Sequence, residues 1–195
     1  WTNIKADDSD ILVTDNTGSS VFDIEIVSLD VASREMQLYV NVDFLSSTTN
    51  TTFNVYYGNA AATANTDSAW NANYVGVWHL DDDYSAGIGS SVTDSSQAGR
   101  DGQILQNFTG VDEVIDARLG QGLEFNNTEY IAINHAYAAN TVLPNVSVTA
   151  WVNTTFSGGS NDNWAILDYD RSEFFNVFVN GNGQLSFSTN SDGNG

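Results

Sequence analysis

Large apolar side chains in this sequence recur at every second position and almost nowhere at helical spacing. Met36, Leu38, Val40 and Val42 alternate with Gln37, Tyr39 and Asn41, and Phe53, Val55 and Tyr57 alternate with Asn54 and Tyr56. Val146, Val148, Ala150 and Val152 alternate with Ser147, Thr149 and Trp151. Successive side chains of a strand point to opposite faces, so this pattern predicts half-buried strands. Shorter apolar runs at 11–13, 24–29, 74–80, 122–125, 130–133, 164–167, 174–179 and 185–187 read the same way. Turn residues separate them: Asp15-Asn16-Thr17-Gly18, Gly158-Gly159, and Asn180-Gly181-Asn182-Gly183. The last is a strong hairpin signal, because Asn and Gly tolerate the positive φ that tight hairpins need. The chain is therefore expected to be all-β, a sandwich or jelly roll. Residues 59–73 carry no large apolar side chain until Trp70. This stretch reads as a linker between a small β-sandwich domain, 1–69, and a second domain, 70–195.

Charge narrows the partners. Twenty-five acidic residues against five basic ones give a formal net charge of −20. Such a charge argues strongly against nucleic acid as a partner, since its binding rests on Lys and Arg neutralising phosphates. Anionic membrane surfaces are disfavoured for the same reason. No stretch approaches the roughly 20 apolar residues of a membrane span, so membrane insertion is not expected. Three compatible readings account for the acids. They adapt the surface to high salt, as in halophilic proteins; some ligate a hard cation such as calcium; or they keep a sticky β protein soluble. The 12% aromatic content provides for a core, and without cysteine there is neither disulfide nor thiolate metal site. Richness in Asn, Ser, Thr and Gly fits a secreted or cell-surface protein.

Several segments, taken in order, resemble a known prokaryotic arrangement. Asp7-Asp8-Ser9-Asp10-Ile11-Leu12-Val13, Ile24-Glu25-Ile26 and Val55-Tyr56-Tyr57-Gly58-Asn59 resemble a small β domain of unknown function. Trp70 and Tyr74-Val75-Gly76-Val77-Trp78-His79-Leu80-Asp81 resemble its junction with a laminin-G-like, concanavalin-A-like jelly roll. Downstream, Asp94-Ser95-Ser96-Gln97-Ala98-Gly99-Arg100-Asp101-Gly102 resembles the jelly roll's Asp-Ser-rich loop. Gly120-Gln121-Gly122-Leu123-Glu124-Phe125 with Tyr130-Ile131 resembles its next strand pair, and residues 146–152 its central strand. Such tandems belong to large surface proteins, including adhesins and pilus-associated proteins of the mannose-sensitive haemagglutinin type. The resemblance implies adhesion or carbohydrate binding, in some members with a calcium ion. Relative to that family, the pattern lacks a strand before Trp1 and those that would follow the last hairpin. The expected fold is thus a small β-sandwich followed by a jelly roll truncated at its C-terminus, with open sheet edges available for self-association.

Candidate sites each have a plainer alternative. Asp81 and Asp83, in the run Asp81-Asp82-Asp83, could supply calcium carboxylates at a strand end or form a solvated acidic loop. Asp94 and Asp101 bracket a loop that could gather both carboxylates onto one ion; the alternative is loop architecture, with Asp side chains capping backbone amides. Trp151, Trp164 and Tyr169 are candidate sugar platforms, since a pyranose face stacks on a ring while polar groups orient it. Their alternative is a second core face. His79 is expected to pack beside Trp78, and His135 to lie in a turn.

Catalysis is not expected. A glycosidase needs two carboxylates flanking the scissile bond. The nearest approach to a jelly-roll glucanase motif, Asp168-x-Asp170-x-x-Glu173, lacks the leading Glu. The leading expectation is a calcium-assisted glycan-binding adhesion module, with a glycan or cell-surface polysaccharide as partner. The competing one is a structural or assembly subunit of a surface filament or layer, without sugar binding.

Overall fold

Asp and Asn side chains set the turns that let the alternating segments pair. Asp15 Oδ1 accepts the backbone N–H groups of Thr17, Ser19 and Ser20 at 3.2, 2.9 and 3.3 Å. Asp30 Oδ1 accepts those of Ala32 and Ser33 at 2.8 and 3.1 Å. Asn180 Oδ1 accepts those of Asn182 and Gln184 at 2.9 and 3.1 Å. Short oxygen-bearing side chains bond the backbone two to five residues on, so the reversal is written locally.

The computed structural model describes residues 1–63, 68–106, 108, 114–126, 128–134, 145–154, 164–169 and 175–189. It divides into two compact units, Trp1–His135 and Ala136–Gly195. Strands of the first unit are β1 (Leu12–Asp15), β2 (Ile24–Asp30), β3 (Glu35–Val40), β4 (Phe53–Tyr56) and β5 (Ser91–Val92), followed by β6 (Gly102–Leu105), β7 (Val114–Asp116), β8 (Gln121–Leu123) and β9 (Tyr130–Ile133). Those of the second are β10 (Trp164–Tyr169), β11 (Phe175–Val179) and β12 (Leu185–Thr189). All pairings are antiparallel: β1 with β4, β2 with β3, β7 with β8, and three-stranded sheets in the orders β5-β6-β9 and β10-β11-β12.

Among the described residues the first unit has two apolar clusters. Ile11, Val13 and Ile24 are buried with Ile4, Phe22, Ile26, Leu29, Met36, Leu38 and Val40 packed around them. Tyr84, Val92, Ile104 and Phe108 are buried against Trp78, Leu80, Val114, Leu123 and Ile131. Each fully buried aliphatic side chain contributes about 2 kcal/mol by leaving water. The linker expected near residue 69 falls in sequence between the clusters, inside the first unit.

The all-β expectation holds as several small antiparallel sheets of two or three strands, none of them closed among the described residues. Two expected strands differ. Residues 145–154 form no strand and are exposed; among the described residues they have no ladder partner. Residues 74–80 form no strand either, because groups a ladder would pair are taken by a loop.

Candidate functional site

That loop runs from Asp94 to Asp101. Asp94 is buried, and its carboxylate is filled: Oδ1 accepts Val77 N–H and Ser96 N–H, each at 2.8 Å, while Oδ2 accepts Ser96 Oγ–H at 3.0 Å and Arg100 N–H at 2.7 Å. Burial pushes the Asp94 carboxyl up, but the amides of Val77, Arg100 and Ser96 outweigh it and hold it below its ordinary value. Asp101 Oδ1 accepts the Asp94 N–H at 2.9 Å. A carboxylate offers about four lone-pair sites, and all four at Asp94 face N–H or O–H donors. This donor set does not fit a hard cation at Asp94. The bonds are those of amide capping and loop architecture.

The same loop fastens residues 75–78. Ser95 N–H donates to Val77 O at 2.8 Å, Trp78 Nε1–H to Arg100 O at 3.0 Å, and Arg100 Nη1–H to Val75 O at 2.6 Å. Gly76 permits the close approach: a Cβ there would lie 2.2 Å from the Trp78 indole. Of the acidic run, Asp81 is exposed and Asp83 accepts Ser85 N–H at 2.9 Å in a local turn. Asp82 accepts Thr93 N–H at 2.9 Å, Thr93 Oγ1–H, and the hydroxyl of buried Tyr84 at 3.2 Å. No group of three or more His, Cys, Asp or Glu among the described residues is placed to hold a metal ion.

His79 does not simply pack beside Trp78. Its Nε2 lies 3.0 Å from Glu25 Oε2, which also accepts the Trp70 indole N–H, and its ring stacks on Tyr39 with centroids 5.1 Å apart. The hydrogen bond to Glu25 raises the His79 pKa against the opposing effect of burial, with Asp81 and Asp82 adding to the rise. Burial pushes Glu25 up, but hydrogen bonds from His79, Ser95 and Trp70 outweigh it and hold its carboxyl low. The cluster is a fastening between β2–β3 and the Trp70–Leu80 region. Sequence reading missed it because Glu25 and His79 are 54 residues apart.

Trp164 opens β10 opposite Val179, and Tyr169 closes the same strand, about 17 Å away at ordinary strand rise. Tyr169 stacks on buried Phe175 at 5.7 Å, and Phe175 on half-exposed Phe187 at 5.8 Å. Trp164 is 40% exposed, and Trp151, in the strandless segment, 70%. His135, Asp170, Glu173 and the Gly158-Gly159 turn lie outside the described residues.

A different aromatic pair lines a cleft of about 630 Å³ in the first unit. Ile11 and Leu12 contribute apolar wall, and Tyr56 and Tyr57 stand 49% and 55% exposed. Ser9, Asp10, Asp23, Asn59 and Thr63 supply polar groups. The surrounding backbone is latched. Asp10, itself buried, accepts Lys5 N–H at 3.0 Å through Oδ1 and Gly58 N–H through Oδ2. Gly58 has φ +87°, a left-handed conformation that turns the chain just after Tyr57. Lys5 Nζ–H donates to Ser9 Oγ at 3.1 Å and Ala62 O at 2.6 Å, tying in the far lip. The Asp23 backbone carbonyl accepts Asn41 N–H at 2.9 Å, which leaves its carboxylate out of that bond. Among the described residues neither that carboxylate nor the Tyr56 or Tyr57 hydroxyl has a hydrogen-bond partner. One signal could have revealed the site: of two adjacent tyrosines in extended chain, only one can face a core.

Comparison with known proteins gives no match: no family model, curated protein or solved structure matches the chain. Among the described residues no helix is long and apolar enough to cross a membrane.

Proposed function

We propose that this chain is a secreted or cell-surface module for adhesion through carbohydrate binding, and that the Tyr56–Tyr57 cleft is its contact site. One observation carries the reading. Two half-exposed tyrosines line the cleft together with apolar wall, hydroxyl and amide groups and a carboxylate that has no hydrogen-bond partner among the described residues, on a backbone already latched by Asp10 and Lys5. Sugars need this combination: a flat apolar surface for the ring face and fixed polar groups for the hydroxyls. The module binds rather than catalyses. The finer fold assignment, a small β-sandwich at 1–69 and a laminin-G-like jelly roll at 70–195, is part of the proposal. Calcium has no role at Asp94 in it.

The test is a glycan array with the purified chain in molar salt, with calcium or with chelator, alongside Tyr57→Ala. Specific hits lost in Tyr57→Ala and unaffected by chelator are expected. Hits that vanish with chelator would return a metal to the mechanism. A blank array from folded protein would reject the carbohydrate reading.

A second reading, a surface-assembly subunit, is favoured by the outer strands. Among the described residues β12 pairs only with β11, and its Leu185 and Phe187 are 72% and 56% exposed. Apolar side chains on an edge strand invite another chain. Sedimentation velocity separates the readings, since assembly predicts concentration-dependent oligomers.

A further inference from the structure

We infer that the Tyr56–Tyr57 cleft selects glycans that donate hydrogen bonds and carry no negative charge, and that Asp23 makes the selection. The inference rests on the carbohydrate reading of this cleft and deepens it.

Among the described residues the lining holds two acids and no base. Asp10 is spent on the backbone N–H groups of Lys5 and Gly58. Asp23 is partly buried, and its carboxylate has no hydrogen-bond partner among the described residues. The neighbouring cation is Lys5, whose ammonium is committed to Ser9 Oγ and Ala62 O. Among the described residues no cation in the lining is thus free to receive an anionic ligand group, while one carboxylate has no donor.

A ligand hydroxyl pair or ammonium group directed at Asp23 gives charge-assisted hydrogen bonds, roughly twice as strong as neutral ones. A uronate, sulfate or phosphate brings like charge to the same oxygens and offers no donor. The field of a chain with formal net charge −20 adds to that repulsion, most strongly at low salt. The tyrosine faces do not discriminate, because every pyranose has an apolar face. Selection comes from the repulsive element.

The experiment compares three immobilised oligosaccharide sets sharing one backbone: neutral, amine-bearing, and carboxylate- or sulfate-bearing. Wild-type protein, Asp23→Asn and Asp23→Ser are each measured at low and at molar salt, with circular dichroism to establish folding. Wild-type protein is expected to bind the neutral and amine-bearing sets, and the anionic set at least about tenfold more weakly, with the gap narrowing in molar salt. Both variants are expected to bring the anionic set to within about threefold of the neutral one and to weaken the amine-bearing set most. Anionic binding as tight as neutral by wild-type protein, or a ranking unchanged in both variants, overturns the inference while leaving a glycan-binding cleft. Folded protein that binds none of the sets overturns the carbohydrate reading, and the inference with it.

Discussion

Asp94 and Asp23 are both Asp side chains of the first unit, and they are used in opposite ways. Asp94 is buried with four donors on its two oxygens, and through them it fixes Val77, Ser96 and Arg100. Asp23 lies at the cleft with no such partner among the described residues, in a lining it shares with Tyr56 and Tyr57. Folding tends to fill the hydrogen bonds of buried polar groups because leaving them empty costs about 1–3 kcal/mol each. A group left empty beside a cleft imposes little of that cost while water reaches it, and it stays available to a ligand. The difference separates residues that build this molecule from residues that can recognise something.

Breaking the filled site gives the largest expected effect. Asp94→Ala leaves the Val77, Ser96 and Arg100 N–H groups without acceptors and should cost about 3 kcal/mol in chemical denaturation. Next is Gly76→Ala, whose Cβ meets the Trp78 indole; displacing that ring should cost about 2 kcal/mol, read by the same titration and by Trp fluorescence.

Smaller again is the pH dependence. Asp94 is depressed in the folded state, so its contribution is present above the ordinary Asp value of about 4 and is lost as pH falls through the folded value. His79 is raised, so its contribution is full below about 6.5 and is lost as pH rises through the folded value. Stability measured against pH should fall on both sides; His79→Gln should remove the alkaline decline and shrink the Glu25 part of the acid one, leaving the Asp94 part in place. The smallest stability change is expected at the cleft: Tyr57→Ala and Asp23→Asn should stay within about 0.5 kcal/mol of wild type while binding changes. A large stability loss in Asp23→Asn would erase the distinction between the two sites.

Local chemistry was the legible part of this fold. Asn180 to Gly183 predicts the β11–β12 hairpin because the Asn side chain and the glycines carry the turn within themselves. The alternation at Met36, Leu38 and Val40 predicts β3, which pairs with β2 over Ile24 and Ile26. The same alternation misleads at 74–80, where the Val77 N–H is taken by a carboxylate 17 residues away. Alternation reports which faces are apolar; it does not report what the backbone bonds to. Of the candidate site residues, Asp94 and Asp101 were legible as a loop pair, with amide capping as one of their two readings. Trp164 and Tyr169 were each legible as a candidate aromatic contact, and they stand at the two ends of β10. The cleft itself depends on Asp10 reaching both Lys5 and Gly58, the latter 48 residues away, and no local pattern encodes that latch.

The most direct test of the central claim is a ¹H–¹⁵N chemical-shift titration of the assigned chain with the neutral oligosaccharide giving the strongest array signal. The account predicts saturable shifts concentrated at residues 9–12, 21–23 and 56–63, the segments that line the cleft. Shifts confined to the segments around Trp151 and Trp164, or no shifts at all, would contradict it.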